Sequence, residues 1–344
     1  MRSGKRFTRE NKHKVLVTGG AGFIGSNLVR HLCDLGYRVV VVDDLSSGFR
    51  RLVDRRATFS KGSIADSRLL ARLLRGVSAV FHLAATSTIS YSMSNPKVYF
   101  ENNFMNGIEL LEAMRKAGIK KIVYASSAAS YDGTKRTPIA ERDPIGPINP
   151  YGASKLAFEH AMSAYFHAFG IEGIALRFFN VYGPNDEQPN ATRAIPMWLD
   201  AAFAGEPVPY YWKGRQKRDY VYVDDVAAAL ACAAKKGHRF KVYNVGNGKG
   251  IWMIDILRSI EKIVRKRLVL KDMGERPGDP KYAIADTRKI QKELGWKPRV
   301  GLDEGLRRTV AYNRMKPKKH EGIGNRGGRI HRLKHRGKTD QRRA

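Results

Sequence analysis

From Lys14 to about Val123, short β-branched runs alternate with longer stretches in which apolar residues recur every three or four positions. The runs Val15–Thr18, Val39–Val42, Ala79–Leu83 and Ile122–Ala125 predict strands, and Phe23–Leu35, Ser67–Leu74 and Pro96–Ala117 predict the helices between them. Such alternation predicts the α/β class: a doubly wound parallel sheet with helices on both faces. A further helix is expected to open near Tyr151, followed by a strand at Ile174–Arg177. After Asn180 the texture changes, and proline and glycine become frequent (Pro184, Pro189, Pro196, Gly205, Pro207, Pro209). A smaller C-terminal lobe of helices and short strands is expected there, returning to the main sheet at intervals.

Composition narrows the class. With 344 residues, 42% of them hydrophobic, the chain can bury a substantial core. No apolar run approaches the roughly 20 residues needed to cross a bilayer. Met1–Lys14 is basic and polar and does not read as a secretory signal. The two cysteines, Cys33 and Cys232, sit in apolar and alanine-rich helical patterns and read as packing residues. No cysteine–histidine cluster has zinc spacing, so no metal is expected, and a reducing, cytoplasmic setting fits. The formal net charge is +31, and the two ends carry much of it. Arg2, Lys5, Arg6, Arg9, Lys12 and Lys14 face the single acid Glu10, and about a dozen Lys or Arg follow from Arg314 onward. Segments this charged and poor in apolar residues cannot repay the entropy of ordering, so mobile tails are expected. They suit RNA or another anionic partner, or they are solvated extensions with no specific role.

The sequence Val15-Leu-Val-Thr-Gly-Gly-Ala-Gly-Phe-Ile-Gly25 runs a strand into glycines 19, 20, 22 and 25 and then directly into a helix. Glycine there permits a tight turn, close approach of the backbone to a pyrophosphate, and tight helix–strand packing. The pyrophosphate then rests on the helix N-terminus, where unpaired N–H groups favour an anion. The next strand ends in Asp43 and Asp44, about 20 residues on, where an acid accepts the ribose hydroxyls and repels a 2′-phosphate. NAD is therefore the expected cofactor, held by Gly19, Gly22, Phe23, Ile24, Gly25 and Asp43. Asp44 either joins them or only starts the following turn.

Tyr151-Gly-Ala-Ser-Lys155 follows Pro150 and should open a helix, with Tyr151 and Lys155 one turn apart on one face. An ammonium beside a phenol favours the phenolate, which makes tyrosine a usable general base. The strand Ile122-Val-Tyr-Ala-Ser-Ser-Ala-Ala-Ser130 ends in small hydroxyl residues, at the end of the sheet where ligands bind. Ser127 is the expected partner of Tyr151 and of a substrate hydroxyl, while at least one of Ser126, Ser127 and Ser130 only turns the chain.

With these features in this order, the sequence resembles the extended short-chain dehydrogenase/reductase family, in its nucleotide-sugar epimerase/dehydratase branch of the UDP-glucose 4-epimerase type. The resemblance spans about Lys14 to Tyr312. Phe81-His-Leu-Ala-Ala85 resembles the family's strand against the cofactor, which implicates Leu83, Ala84 and Ala85, and Asn103 matches an asparagine nearby. Arg177-Phe-Phe-Asn-Val-Tyr-Gly-Pro184 places Asn180 on the nucleotide diphosphate, and two later segments supply Arg218, Arg276 and Asp279 to the nucleotide. Chemistry alone leaves Arg218 and Arg276 open to plain solvation, or Arg218 to pairing with Asp219 or Asp224. Gly62-Ser63-Ile64 stands where the family has Gly-Asp-Ile against adenine, so contacts by Ser63 and Ile64 rest on position only. The organisation expected is a basic flexible N-terminus over 1–13, an NAD-binding Rossmann domain over 14–180, a substrate lobe over 181–312 and a basic disordered tail over 313–344.

The resemblance implies that Tyr151, assisted by Ser127, takes the proton of the sugar 4-hydroxyl. Dehydratases of this branch carry an Asp-Glu pair directly after the hydroxyl residue, and decarboxylating relatives a glutamate; this chain has Ala128-Ala129. A 4-epimerase needs no extra acid, so epimerisation of a UDP-sugar is expected; a reductase, another family reaction, or an NAD-binding protein with RNA-binding tails is the alternative. Ala283 aligns with the residue beside the sugar, where a small side chain would admit an N-acetyl group, although Tyr282 or Ile284 could occupy that place. By analogy the chain is a homodimer through the helices Asn95–Ala117 and Tyr151–Phe169.

Overall fold

The computed structural model describes residues 13–131, 137–187, 193–275 and 281–316. The strands are β1 (Lys14–Thr18), β2 (Arg38–Asp43), β3 (Thr58–Lys61), β4 (Val77–His82), β5 (Lys121–Ser127), β6 (Glu172–Phe178), β7 (Asn180–Tyr182), β8 (Val208–Tyr210), β9 (Lys217–Tyr222), β10 (Lys241–Val245), β11 (Gly250–Trp252), β12 (Leu270–Asp272) and β13 (Tyr282–Ala283). The helices are α1 (Phe23–Asp34), α2 (Ser67–Leu73), α3 (Ile89–Ser94), α4 (Pro96–Tyr99), α5 (Asn106–Lys116), α6 (Pro150–Phe169), α7 (Ala194–Ala204), α8 (Val223–Lys236), α9 (Met253–Val264), α10 (Arg288–Leu294) and α11 (Leu302–Met315).

Seven strands form one parallel sheet in the order β10-β6-β5-β4-β1-β2-β3. The central strands are buried on both faces, which is why β2 reads as an unbroken Val39-Val-Val-Val42 run rather than an alternating one. One face packs against α1 and α8 through residues such as Leu28, Val29, Val226 and Leu230. The other packs against α2, α5 and α6 through Leu70, Leu110, Met114, Phe158 and Met162. The order reverses between β1 and β4, so the carboxyl ends of those two strands open a crevice.

A second core gathers Trp198, Leu199, Tyr220, Ile256, Leu257 and Leu306 from α7, β9, α9 and α11. Its sheet pairs β9 antiparallel with β11 and parallel with β7 and β13. β10 lies between α8 and β11 in the chain but pairs with β6, so the later half of the sequence completes the main sheet.

Three elements differ from the sequence expectation. β3 escapes a hydrophobic pattern because Thr58-Phe-Ser-Lys61 is an edge strand, half-buried to exposed throughout. The expected helix Pro96–Ala117 is broken by a π-helical stretch at Phe100–Met105. At the C-terminus, α11 continues to Met315, so residues 313–315 are helical rather than part of a disordered tail. The basic ends proper, 1–12 and 317–344, lie outside the described residues. Among the described residues, no helix is long and apolar enough to cross a membrane, and no group of His, Cys, Asp or Glu could hold a metal ion.

Candidate functional site

A cavity of about 1030 Å³ runs from the crevice between β1 and β4 to the lobe around β9. That is the upper end of the range for a single small ligand, roughly 300–1,000 Å³. It is lined by Gly19, Gly22, Phe23, Ile24, Gly25, Asp43, Asp44, Ser63, Ile64, Leu83, Ala84 and Ala85 at one end, and by Ser127, Tyr151, Lys155, Asn180, Arg218 and Ala283 toward the other.

The glycine loop makes the first wall. Gly19 has φ +71°, and a Cβ there would meet the Ala84 nitrogen at 2.5 Å; one at Gly25 would meet the Gly19 carbonyl oxygen at 2.0 Å. The fold itself requires glycine at both positions. Gly22 is different: its φ is −80°, and the only atom near a Cβ would be the Gly19 oxygen at 3.4 Å, an ordinary contact. The fold by itself therefore does not require glycine at position 22. Gly22 also caps α1 without any side-chain hydrogen bond, and the first turn carries no acid, which leaves its end positive toward the cavity. The Asp43 carboxylate accepts the Ala21 and Leu45 N–H groups, each at 2.9 Å, and retains lone pairs for a diol. These features fit a dinucleotide. Replacing Gly22 with alanine should leave urea unfolding unchanged and weaken NAD binding about tenfold or more, as calorimetric titration would read. Gly25→Ala should instead destabilise the fold. Wild-type NAD affinity in Gly22→Ala would remove this loop from the cofactor site.

The second wall is α6. Asn149 caps it, accepting the Gly152 N–H at 2.8 Å, Pro150 occupies its first turn, and Gly170 closes it in the left-handed conformation. That fixes Tyr151 and Lys155 over the ends of β5 and β6. Loss of water contact raises the Tyr151 pKa, while a hydrogen bond with Ser127 and the positive charge of Arg193 pull it back down. The Lys155 ammonium donates to the Ala125 carbonyl oxygen at 2.9 Å and lies 6.0 Å from the centre of the Tyr151 ring, closer (4.8 Å) to that of Tyr124. Burial lowers its pKa to about 7, against the opposing charge of Glu159. Lys155 is therefore turned to the backbone of β5, and the groups easing ionisation of the phenol are Ser127 and Arg193.

Behind Lys155 lies a buried network. Glu159 receives Arg177 bidentately, Nε at 3.0 Å and Nη2 at 2.6 Å, and also accepts the Ser126 hydroxyl. Both members are almost fully buried, with side-chain exposures of 5% and 2%. The Arg177 guanidinium stacks 4.5 Å from the Tyr131 ring centre, and the Tyr131 hydroxyl donates to Asn244 at 2.9 Å. Of the three serines at this strand end, Ser126 serves the network and Ser127 faces the cavity.

In the lobe, Asn180 of β7 donates to the Asp219 carbonyl at 3.2 Å, and Arg218 sits in register with Ala283. The alternative partners for Arg218 are otherwise engaged. Asp219 accepts the N–H groups of Asn247, Gly248 and Ala285, with its pKa pushed up to about 6 by burial. Asp224 pairs with Arg30 and Arg308.

The Asn103 carboxamide accepts the Thr86 N–H at 2.8 Å and donates to the Thr86 carbonyl and the Ser154 hydroxyl, so it ties α6 to the loop after β4. The neighbouring Asn102, on the π-helical stretch, reaches the cavity instead. Arg276 and Asp279 lie outside the described residues. The sequence reading missed Arg193 and the network acid Glu159; the second is signalled by its place one turn after Lys155, the first by no motif.

The sequence model of the NAD-dependent epimerase/dehydratase family matches residues 15–246. UDP-glucose 4-epimerase of Lactobacillus helveticus is 37% identical over 327 residues, covering 90% of this chain and 99% of the relative. The crystal structure of UDP-glucose 4-epimerase with UDP-glucose from Thermotoga maritima superposes with a TM-score of 0.83 at 36% identity, covering 88% of this chain and 98% of that one. UDP-N-acetylglucosamine 4-epimerase from Methanobrevibacter ruminantium, in complex with UDP-N-acetylmuramic acid, gives 0.83 at 32% identity, covering 88% and 98%.

Proposed function

Because the chain belongs to the NAD-dependent epimerase/dehydratase family, we propose that it inverts carbon 4 of a nucleotide-linked sugar, with UDP-glucose as the reference substrate. The observation that carries this reading is the cavity that joins the Gly22 cradle to Ser127 and Tyr151, with Ala128 and Ala129 directly after Ser127 in its wall. NAD, when bound, supplies a reversible hydride acceptor at carbon 4. Tyr151 takes the proton of the 4-hydroxyl and returns it, with Ser127 on the same cavity wall easing ionisation of the phenol. Asn180 and Arg218 hold the diphosphate, a guanidinium being suited to phosphate oxygens. Ala128 and Ala129 can neither protonate a leaving hydroxyl nor remove the carbon 5 proton, so those two positions supply no acid or base for elimination. Incubation with UDP-glucose, followed by NMR, should give the galacto-configured product. A dehydrated, decarboxylated or reduced product would move the protein to another reaction of the family.

The small side chain of Ala283 lines the cavity in register with Arg218, and we read it as admitting an N-acetyl group; the same assay with UDP-N-acetylglucosamine tests this. A homodimer is proposed from the exposed Tyr91, Val98, Phe100 and Met105 between the start of α3 and that of α5. Sedimentation of the full chain at the monomer mass would exclude it. For the basic ends we propose binding to RNA, to be read as salt-sensitive affinity that is lost when they are removed. The cysteine usage supports a cytoplasmic setting, which a fractionation of cells would test.

A further inference from the structure

Arg218 of β9 and its register partner Ala283 line the cavity. One residue earlier the strand points to the other side of its sheet. There Lys217 stands in register with Trp252 of β11 and with Tyr282 of β13. None of these three lines the cavity, and neither ring belongs to an apolar core. The two ring centres are 6.2 Å apart, and the Lys217 ammonium lies 4.5 Å from that of Trp252. Lys281, the residue before Tyr282, brings its ammonium to 5.9 Å from the Tyr282 ring centre. Tyr282 is 39% exposed, Trp252 is half-buried, and Lys249, immediately before β11, is exposed.

Trp252 breaks a local rule. It is the N-cap of α9 and makes no side-chain hydrogen bond to the helix, where serine, threonine, asparagine or aspartate would cap it. Neither core packing nor capping accounts for a large ring at this position. The charges are open as well. An aromatic face attracts an ammonium but carries no counter-charge, and among the described residues Lys217, Lys249 and Lys281 form no salt bridge.

Rings set among uncompensated lysines fit a partner that presents flat faces and regularly spaced anionic charge together. A single-stranded nucleic acid does both, stacking its bases on aromatic rings while cations follow its backbone. A duplex hides its base faces, and a layer of lipid headgroups offers charge without a flat face. We propose that the row Trp252, Lys217 and Tyr282 is a docking surface for single-stranded RNA, with a base on the aromatic pair and phosphates on Lys217, Lys249 and Lys281. This surface lies on the folded lobe, apart from the basic ends, and on the opposite side of β9 from Arg218.

The experiment titrates the full chain with a short oligouridylate and with an RNA duplex of the same length, reading intrinsic tryptophan fluorescence and the anisotropy of labelled RNA. We expect the single strand to quench the fluorescence and the duplex to leave it unchanged, a signature that binding to the basic ends does not produce. Trp252→Ser should remove the quench and weaken oligouridylate binding about tenfold, while urea unfolding stays at or above the wild-type midpoint because serine caps α9. Trp252→Phe should keep most of the affinity. Lys217→Gln should lower the slope of log affinity against log salt by about 0.7. The comparison of single strand with duplex stands even if a variant fails to fold. Unchanged fluorescence at saturation, equal quenching by the duplex, or wild-type affinity in Trp252→Ser overturns the proposal and leaves RNA to the basic ends. Absence of binding overturns both. A blue-shifted emission with phosphatidylserine vesicles, without response to the oligonucleotide, assigns the surface to a membrane instead. Conversion of UDP-glucose is measured separately, so the 4-epimerase reading stands or falls on its own.

Discussion

Tyr151→Phe should retain NAD and the folded state while turnover of the preferred UDP-sugar falls by about 10²- to 10⁴-fold, the usual worth of a positioned acid–base group. Only the oxygen is removed. The ring packs edge-on against Tyr99 at 6.3 Å, and phenylalanine preserves that contact. The loss should appear in kcat more than in KM, because nothing that holds the diphosphate changes. Ser127 cannot substitute: a hydroxyl relays a proton but is a far weaker base at neutral pH. Product NMR with the variant at high enzyme concentration reads the effect directly. Turnover within tenfold of wild type would mean that another group accepts the 4-hydroxyl proton.

The second large effect is on stability. Glu159→Ala should lower the free energy of unfolding by about 3–5 kcal/mol, because it leaves the Arg177 guanidinium buried without its counter-charge. Burial works against the charge on Arg177, and the hydrogen bonds and charge of Glu159 outweigh it, so the arginine's pKa stands above its ordinary value. The damage should spread, since the pair ties α6 to β6, to Ser126 at the end of β5 and, through Tyr131 and Asn244, to β10. Replacing both members with apolar residues, Glu159→Leu with Arg177→Met, should recover most of the loss, as no unpaired charge remains. Urea unfolding of the three proteins distinguishes these outcomes. A cost below about 1 kcal/mol for the single change would show that water reaches the arginine.

The central strands and their flanking helices were legible because burial on both faces forces β-branched runs, and burial on one face forces a helical period. β3 was not, because an edge strand in contact with solvent keeps no hydrophobic signature. The glycine loop, Asp43, Tyr151 and Lys155 were legible because turn geometry and one-turn spacing are local properties of the chain. What spacing could not convey was direction. Lys155 lies on the expected face of α6, yet its ammonium bonds the backbone of β5. The π-helical stretch at Phe100–Met105 was equally hidden, because residue spacing assumes an unbroken helical period. Arg193 was invisible for a different reason: it joins the cavity wall only through tertiary folding, paired with Asp186 and seated on the Phe23 ring.

The pairing of β10 with β6 also governs how the chain can be made and cut. Residues up to Asn180 contain six of the seven strands of the sheet, but a chain ending there would present β6 as a naked edge with a row of unpaired N–H and C=O groups, a template for intermolecular association. During synthesis that edge waits until more than sixty further residues have emerged, since β10 begins at Lys241. The nucleotide-binding half thus receives its last strand only after the first part of the lobe has been synthesised.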